Sequence, residues 1–241
     1  MLTRIWLALA LLSCADAALG APRSPSRLVG NEETMEGVGK RILRRRQDGE
    51  ERASAIRSLG LAAGSLSHPA AGGEVAAGSS EDLAKAALAA SVEAALKRRG
   101  FAVKRVPGPA GESWAEDWRQ VALLDDAVGV AILEATWQEW YPAKAASFEY
   151  GLGDLTSLLN EQGVDALLFV SAGGKTASGP FSAFFGPPWP VVVIQLSLVD
   201  RSGEVLWFEF FASANHYDLR DRRVVDDLLR HLFEDFPGAK P

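Results

Sequence analysis

Apolar residues recur along this chain at two spacings, helical and alternating. Over 79–100, Ala84, Leu88, Val92, Ala95 and Leu96 fall on one side of a helix. Ser79 is placed to cap it with Asp82 three residues on, Lys97, Arg98 and Arg99 suit its negative end, and Gly100 stops it. Val225, Leu228, Leu229, Leu232 and Phe236 repeat the helical pattern near the end of the chain, between a cap at Asp218 and a stop at Pro237. Leu155, Leu158 and Leu159 mark a shorter helix over 152–162, closed by Gly163. Between 112 and 141, Trp114, Trp118, Val121, Leu124, Val128, Ile132 and Ala135 keep helical spacing. Gly129 predicts a break near 125–129, Val130 to Leu133 also suits a strand, and Pro142 ends the stretch.

The strand signals lie between these helices. Residues 56–65 predict a first strand, weakened by Gly60 and Gly64, and 101–106 a second. Ala166 to Val170 is an unbroken apolar run, the pattern of a central strand buried on both sides. Val192, Ile194, Leu196 and Leu198 alternate, Asp200 to Gly203 makes a hairpin loop, and Glu204 to Phe211 returns. The order is strand, helix, strand, helices, three strands, helix. It predicts an α/β (α+β) fold: a single mixed β-sheet of about five strands flanked by helices.

The amino terminus follows a different logic. Arg4 precedes an apolar run from Ile5 to Leu12, and Leu11-Leu12-Ser13-Cys14 resembles the lipobox of bacterial lipoproteins, whose cysteine is lipidated. The run is shorter than the ~20 apolar residues that span a bilayer. A lipid anchor holds differently, at about 0.8 kcal/mol for each buried methylene. Ordinary cleavage at Ala15-Asp16-Ala17 or Ala18-Leu19-Gly20 is the other reading, and it discards Cys14. With Ala15 after the cysteine, likeness to bacterial sorting rules favours the outer membrane. Residues 1–20 are thus read as a signal peptide, 21–52 as a tether and 53–237 as the α/β domain. Lys40-Arg41 and Arg44-Arg45-Arg46 in the tether suit either anionic head groups or a solvated stretch.

Composition narrows the partners. The net charge is -6, which disfavours nucleic acid, whose phosphates call for a basic surface. The single cysteine leaves no thiol nucleophile or disulfide in the folded part. No Gly-x-Ser-x-Gly elbow is present, and His68, His216 and His231 lack metal-helix spacing. His216 with Asp218 is the one close acid–base pair, and a turn explains it. Asp125-Asp126, Asp226-Asp227 and Glu234-Asp235 point about 100° apart on a helix and are read as solvated faces. No metal and no cofactor is expected.

The segment 173–190 carries Phe181, Phe184, Phe185 and Trp189 among glycines and prolines, between two core strands. A connection of this length and content is a docking loop for a partner protein or membrane interface, or a cover over the domain's own core. Trp114, Trp118, Trp137 and Trp140 are read as core packing rather than a ligand cage.

Three stretches carry a resemblance: Leu96 to Val103, Gly163 to Val170, and Leu198 to Trp207 with its Asp-x-x-Gly-Glu turn. In this order they resemble a group of bacterial envelope lipoproteins that includes the TolB amino-terminal domain, CsgG, LpoB and lipoproteins defined by a domain of unknown function beside transporter genes. The resemblance covers about residues 55–237. It implies a non-enzymatic accessory or assembly component of an envelope complex for transport, secretion or cell-wall work, exported to the periplasm and anchored through Cys14. Two other classes stay open: a secreted or periplasmic hydrolase with a fold-assembled carboxylate/His site, and a soluble small-ligand binding protein.

Overall fold

A computed structural model describes residues 31–35, 39–67, 79–106, 114–137, 148–174, 192–213, 219 and 221–238. The strands are β1 (Asn31–Met35), β2 (Gly39–Arg45), β3 (Ser58–Ser67), β4 (Ala102–Arg105), β5 (Ala166–Gly174), β6 (Val192–Asp200) and β7 (Val205–Ser213). The helices are α1 (Gly49–Ser54), α2 (Ser79–Arg98), α3 (Trp114–Trp137), α4 (Thr156–Gln162) and α5 (Arg222–Leu232). The fold is α+β, with one mixed sheet in the order β1-β2-β7-β6-β5-β3-β4. The pairs β3–β4 and β3–β5 are parallel and the rest antiparallel.

Among the described residues the sheet has seven strands where about five were expected, and the addition comes from the segment read as tether. β2 pairs with β7 from Lys40 to Arg45 and β1 pairs with β2, so residues 31–35 and 39–52 belong with the sheet rather than a tether. The arginines of β2 concealed this. Ile42 and Leu43 are its only apolar positions, and both are buried. Arg41 and Arg44 are buried as well, at 4% and 5% exposure, because other parts of the chain neutralise or stack on them. Arg41 and Arg44 are therefore not solvated, while Arg45 stays exposed beside Asp235.

Alternation along the strands sets two packing layers. On one face Leu59, Leu168, Leu196, Trp207 and Phe211 meet Leu88, Val92 and Leu96 of α2 and Val225 and Leu229 of α5. On the other, Leu167, Phe169, Phe208 and Phe210 meet Trp118, Val121 and Ile132 of α3, with Leu155 at the start of α4 and Leu159 on it. β5 is buried on both faces from Ala166 to Val170, as its sequence predicts. Burying each of these large side chains contributes about 1.5–3 kcal/mol.

Gly60 serves close packing: a Cβ there would lie 2.7 Å from a Leu167 methyl and 2.8 Å from a Val106 methyl. The register of β3 on β5 then shifts between Ala63 and Leu66, around Gly64. β4 closes one edge and exposes Lys104 and Arg105, charges that discourage pairing with another chain.

The helix ends follow their local signals. Gly100 takes φ +87° and lets Phe101 N–H donate to Leu96 O at 3.2 Å. Gly163, at φ +64°, does the same for Val164 N–H and Leu159 O. The cap of α5 is Asp221, which accepts from Arg223 N–H at 2.9 Å; Asp218 lies outside the described residues. α3 runs unbroken from Trp114 to Trp137, without the break expected near 125–129.

Candidate functional site

Strand direction gathers the loops. β1, β3, β5 and β7 run the same way, and their ends stand in one row: Met35 pairs with Gly39, Ser67 with Gly173, Gly174 with Val192, and Val192 with Ser213. The connections holding His68, the aromatic segment and His216 all leave from this row. The chain enters β1 from the opposite end. The candidate docking residues Phe181, Phe184, Phe185 and Trp189 lie outside the described residues, as do Cys14, His68, His216 and Trp140. His231 is exposed on α5, its Nδ1 3.5 Å from Glu234.

The carboxylate pairs part company. Asp227 stays at the surface, 3.0 Å from Arg230. Asp235 instead takes Arg41 and Arg45, each at 2.9 Å. Asp125 departs furthest from the solvated-face reading, at 2% exposure. α3 lays it over the sheet, where a hydrogen bond links it to Ser197 of β6. Its Oδ1 finds no hydrogen-bond partner among the described residues. Burial pushes its carboxyl up to about 8, Ser197 pulls it down, and Asp126 adds to the rise. One turn on, a Cβ on Gly129 would lie 2.4 Å from Gln195 Nε2, so the glycine is what lets the helix settle on β6. Trp118 is buried in this layer, its Nε1 unpartnered among the described residues, in line with core packing.

Glu209 was hidden in the sequence inside an apolar strand. It is fully buried on β7 between Leu196 and Leu43, and Arg41 holds it with Nε to Oε1 at 2.5 Å and Nη2 to Oε2 at 3.0 Å. Burial raises Glu209 to about 7 against the pull of Arg41. Burial also disfavours the Arg41 cation, but hydrogen bonding and attraction from Glu209 and Asp235 outweigh it and hold the guanidinium above its usual range. A lone acid within the Phe-Glu-Phe-Phe run, with arginines in reserve at 41–46, was the available signal.

The Asp-x-x-Gly-Glu turn is a clasp. Asp200 Oδ1 accepts from Glu204 N–H at 3.1 Å and Ser202 Oγ at 2.7 Å. Arg52 of α1 pairs with both Asp200 and Glu204. Gly203, at φ +79°, presses on the Gly153 backbone and accepts Leu152 N–H at 2.7 Å. In the Gly-x-Asp-Ala motif, Asp165 Oδ2 accepts from Arg57 N–H, Ser58 N–H and Ser58 Oγ at 2.8–3.1 Å. Both motifs fix the sheet end away from the loop row. Among the described residues no three His, Cys, Asp or Glu side chains group as a metal site, and no helix is long and apolar enough to cross a membrane.

No family model and no curated protein matches this chain. Among solved structures, a PelC dodecamer from Paraburkholderia phytofirmans is similar at 14% identity and TM-score 0.36, covering 79% of this chain and 94% of that one. A variant of the same dodecamer gives 14% identity and TM-score 0.39, with 84% and 99% covered. At scores this low the likeness bears on neither activity nor partners.

Proposed function

We propose that this chain is a non-enzymatic cell-envelope lipoprotein, anchored through Cys14 to the outer membrane, whose domain binds other envelope proteins. The observation that carries the reading is the opposition of its two ends. The chain enters β1 from one end of the sheet, and the connection bearing Phe181, Phe184, Phe185 and Trp189 leaves β5 at the other. A protein tethered at the first end presents the second outward. With β1 starting at Asn31, only residues 15–30 separate the anchor cysteine from the sheet. At about 3.5 Å per extended residue this caps the reach at roughly 50–60 Å.

The test is palmitate labelling of the exported chain with mass spectrometry of its first peptide. A diacylglyceryl thioether on Cys14, absent from Cys14→Ala, is the expected result. An unmodified terminus at Asp16 or beyond would overturn the anchor. A hydrolase reading draws on the same row, where the segments with His68 and His216 attach. Under it, His216→Ala abolishes turnover while substitutions at Phe184 and Phe185 do not.

A further inference from the structure

α3 carries a local inversion of the polarity expected of a helix lying on a sheet. Leu123 and Leu124 stand 40% and 46% exposed, while the next residue, Asp125, is 2% exposed. Asp126 is half-buried. A surface helix ordinarily turns leucine inward and aspartate out, because burying an unpaired carboxyl costs free energy and exposing leucine forgoes it. Here neighbouring residues accept both costs. The sheet under α3 is unusual in the same place. Ser171, Gln195 and Ser197 form a polar row on a face otherwise filled by Phe169, Phe208 and Phe210. Among the described residues the buried Oγ of Ser171 and Oδ1 of Asp125 both lack hydrogen-bond partners.

We propose that α3 is a proton-gated element, seated on the sheet while Asp125 keeps its proton and released from it when that proton is lost, baring Ser171, Gln195 and Ser197. A neutral carboxyl can share a hydrogen bond with Ser197 and stay buried. Among the described residues a carboxylate there meets no cation: β6 offers Ser197 and Gln195, the flanking strands Phe169, Ser171, Phe208 and Phe210, and α3 itself Asp126. Arg44, on the same face, is two strands away across Phe208, and its guanidinium lies 5.9 Å from the Phe148 ring centroid.

The sign follows from the two states. Released, Asp125 titrates as an ordinary carboxyl; seated, it titrates at about 8. The released form therefore gains about tenfold per pH unit above the ordinary carboxylate range and levels off above about 8. Hydrogen exchange on the full chain from pH 5 to 9, corrected for intrinsic rates, reads this directly. Protection of α3 should fall by about tenfold per pH unit relative to α2 and α5, then flatten. Asp125→Asn should abolish the dependence and Asp126→Asn should keep it. Ser197→Ala removes the contact that favours ionisation, so its plateau should move to higher pH; this variant decides the matter if Asp125→Asn does not fold. An α3 profile parallel to those of α2 and α5, or a slope that survives in Asp125→Asn, would overturn the proposal.

Discussion

Arg41 on β2 and Glu209 on β7, two positions out of register, meet diagonally in a forked, buried ion pair. The fork supplies two parallel hydrogen bonds, and Arg41 Nη1 reaches on to Asp235 at 2.9 Å. Breaking one side of such a pair leaves an unmatched charge in the core, at about 3–5 kcal/mol. Arg41→Met should lower urea-unfolding stability by that amount. The double variant Arg41→Met/Glu209→Leu should recover most of it. A double variant no better than the single would show that the pair contributes more than charge balance.

Gly203 leaves no room for a side chain. Its φ is +79° and the Gly153 carbonyl occupies the position a Cβ would take. Gly203→Ala should cost at least about 2 kcal/mol from backbone conformation and crowding together, read as a drop in thermal midpoint. Gly153→Ala, at φ +85° but with open space, should cost less.

Asp165 ties the start of β5 to the start of β3. Burial alone would raise its carboxyl, but hydrogen bonds from Ser58 and Arg57 and the charge of Arg201 hold it below the usual carboxylate range. A depressed acid stabilises the fold above its unfolded value and ceases to do so as pH falls through the folded one. Asp165→Ala should therefore lose about 1–2 kcal/mol at neutral pH. The difference from the parent should shrink below about pH 4, measured by denaturant titration across pH.

Phe184→Ser/Phe185→Ser tests the aromatic segment. If it docks a partner, unfolding stays cooperative at an unchanged midpoint while crosslinking to the partner complex weakens. A large fall in midpoint would assign the rings to the domain's own core.

Much of the architecture was legible because it rests on local pattern. The stripes of α2 and α5, the doubly buried run at Ala166 to Val170 and the turn at Asp200 to Gly203 all follow from spacing and turn chemistry. β2 was illegible because its arginines are neutralised by groups far along the chain; Glu209 is separated from Arg41 by 168 positions. Gly129 misled for a related reason. It serves the close approach of Gln195, a partner that periodicity cannot reveal. Asp125 followed the same course: adjacency to Asp126 suggested solvent, and only the sheet beneath it shows otherwise.

The place of β2 also sets the order of assembly. Its partner strand begins at Val205, so a chain delivered amino terminus first holds Ile42 and Leu43 without a docking surface until the last quarter has arrived. Completion of the sheet's middle is thereby a late, long-range closure, slow by the rule that distant contacts delay folding. A product truncated before Val205 would leave β2 without its partner strand and one edge of β6 bare.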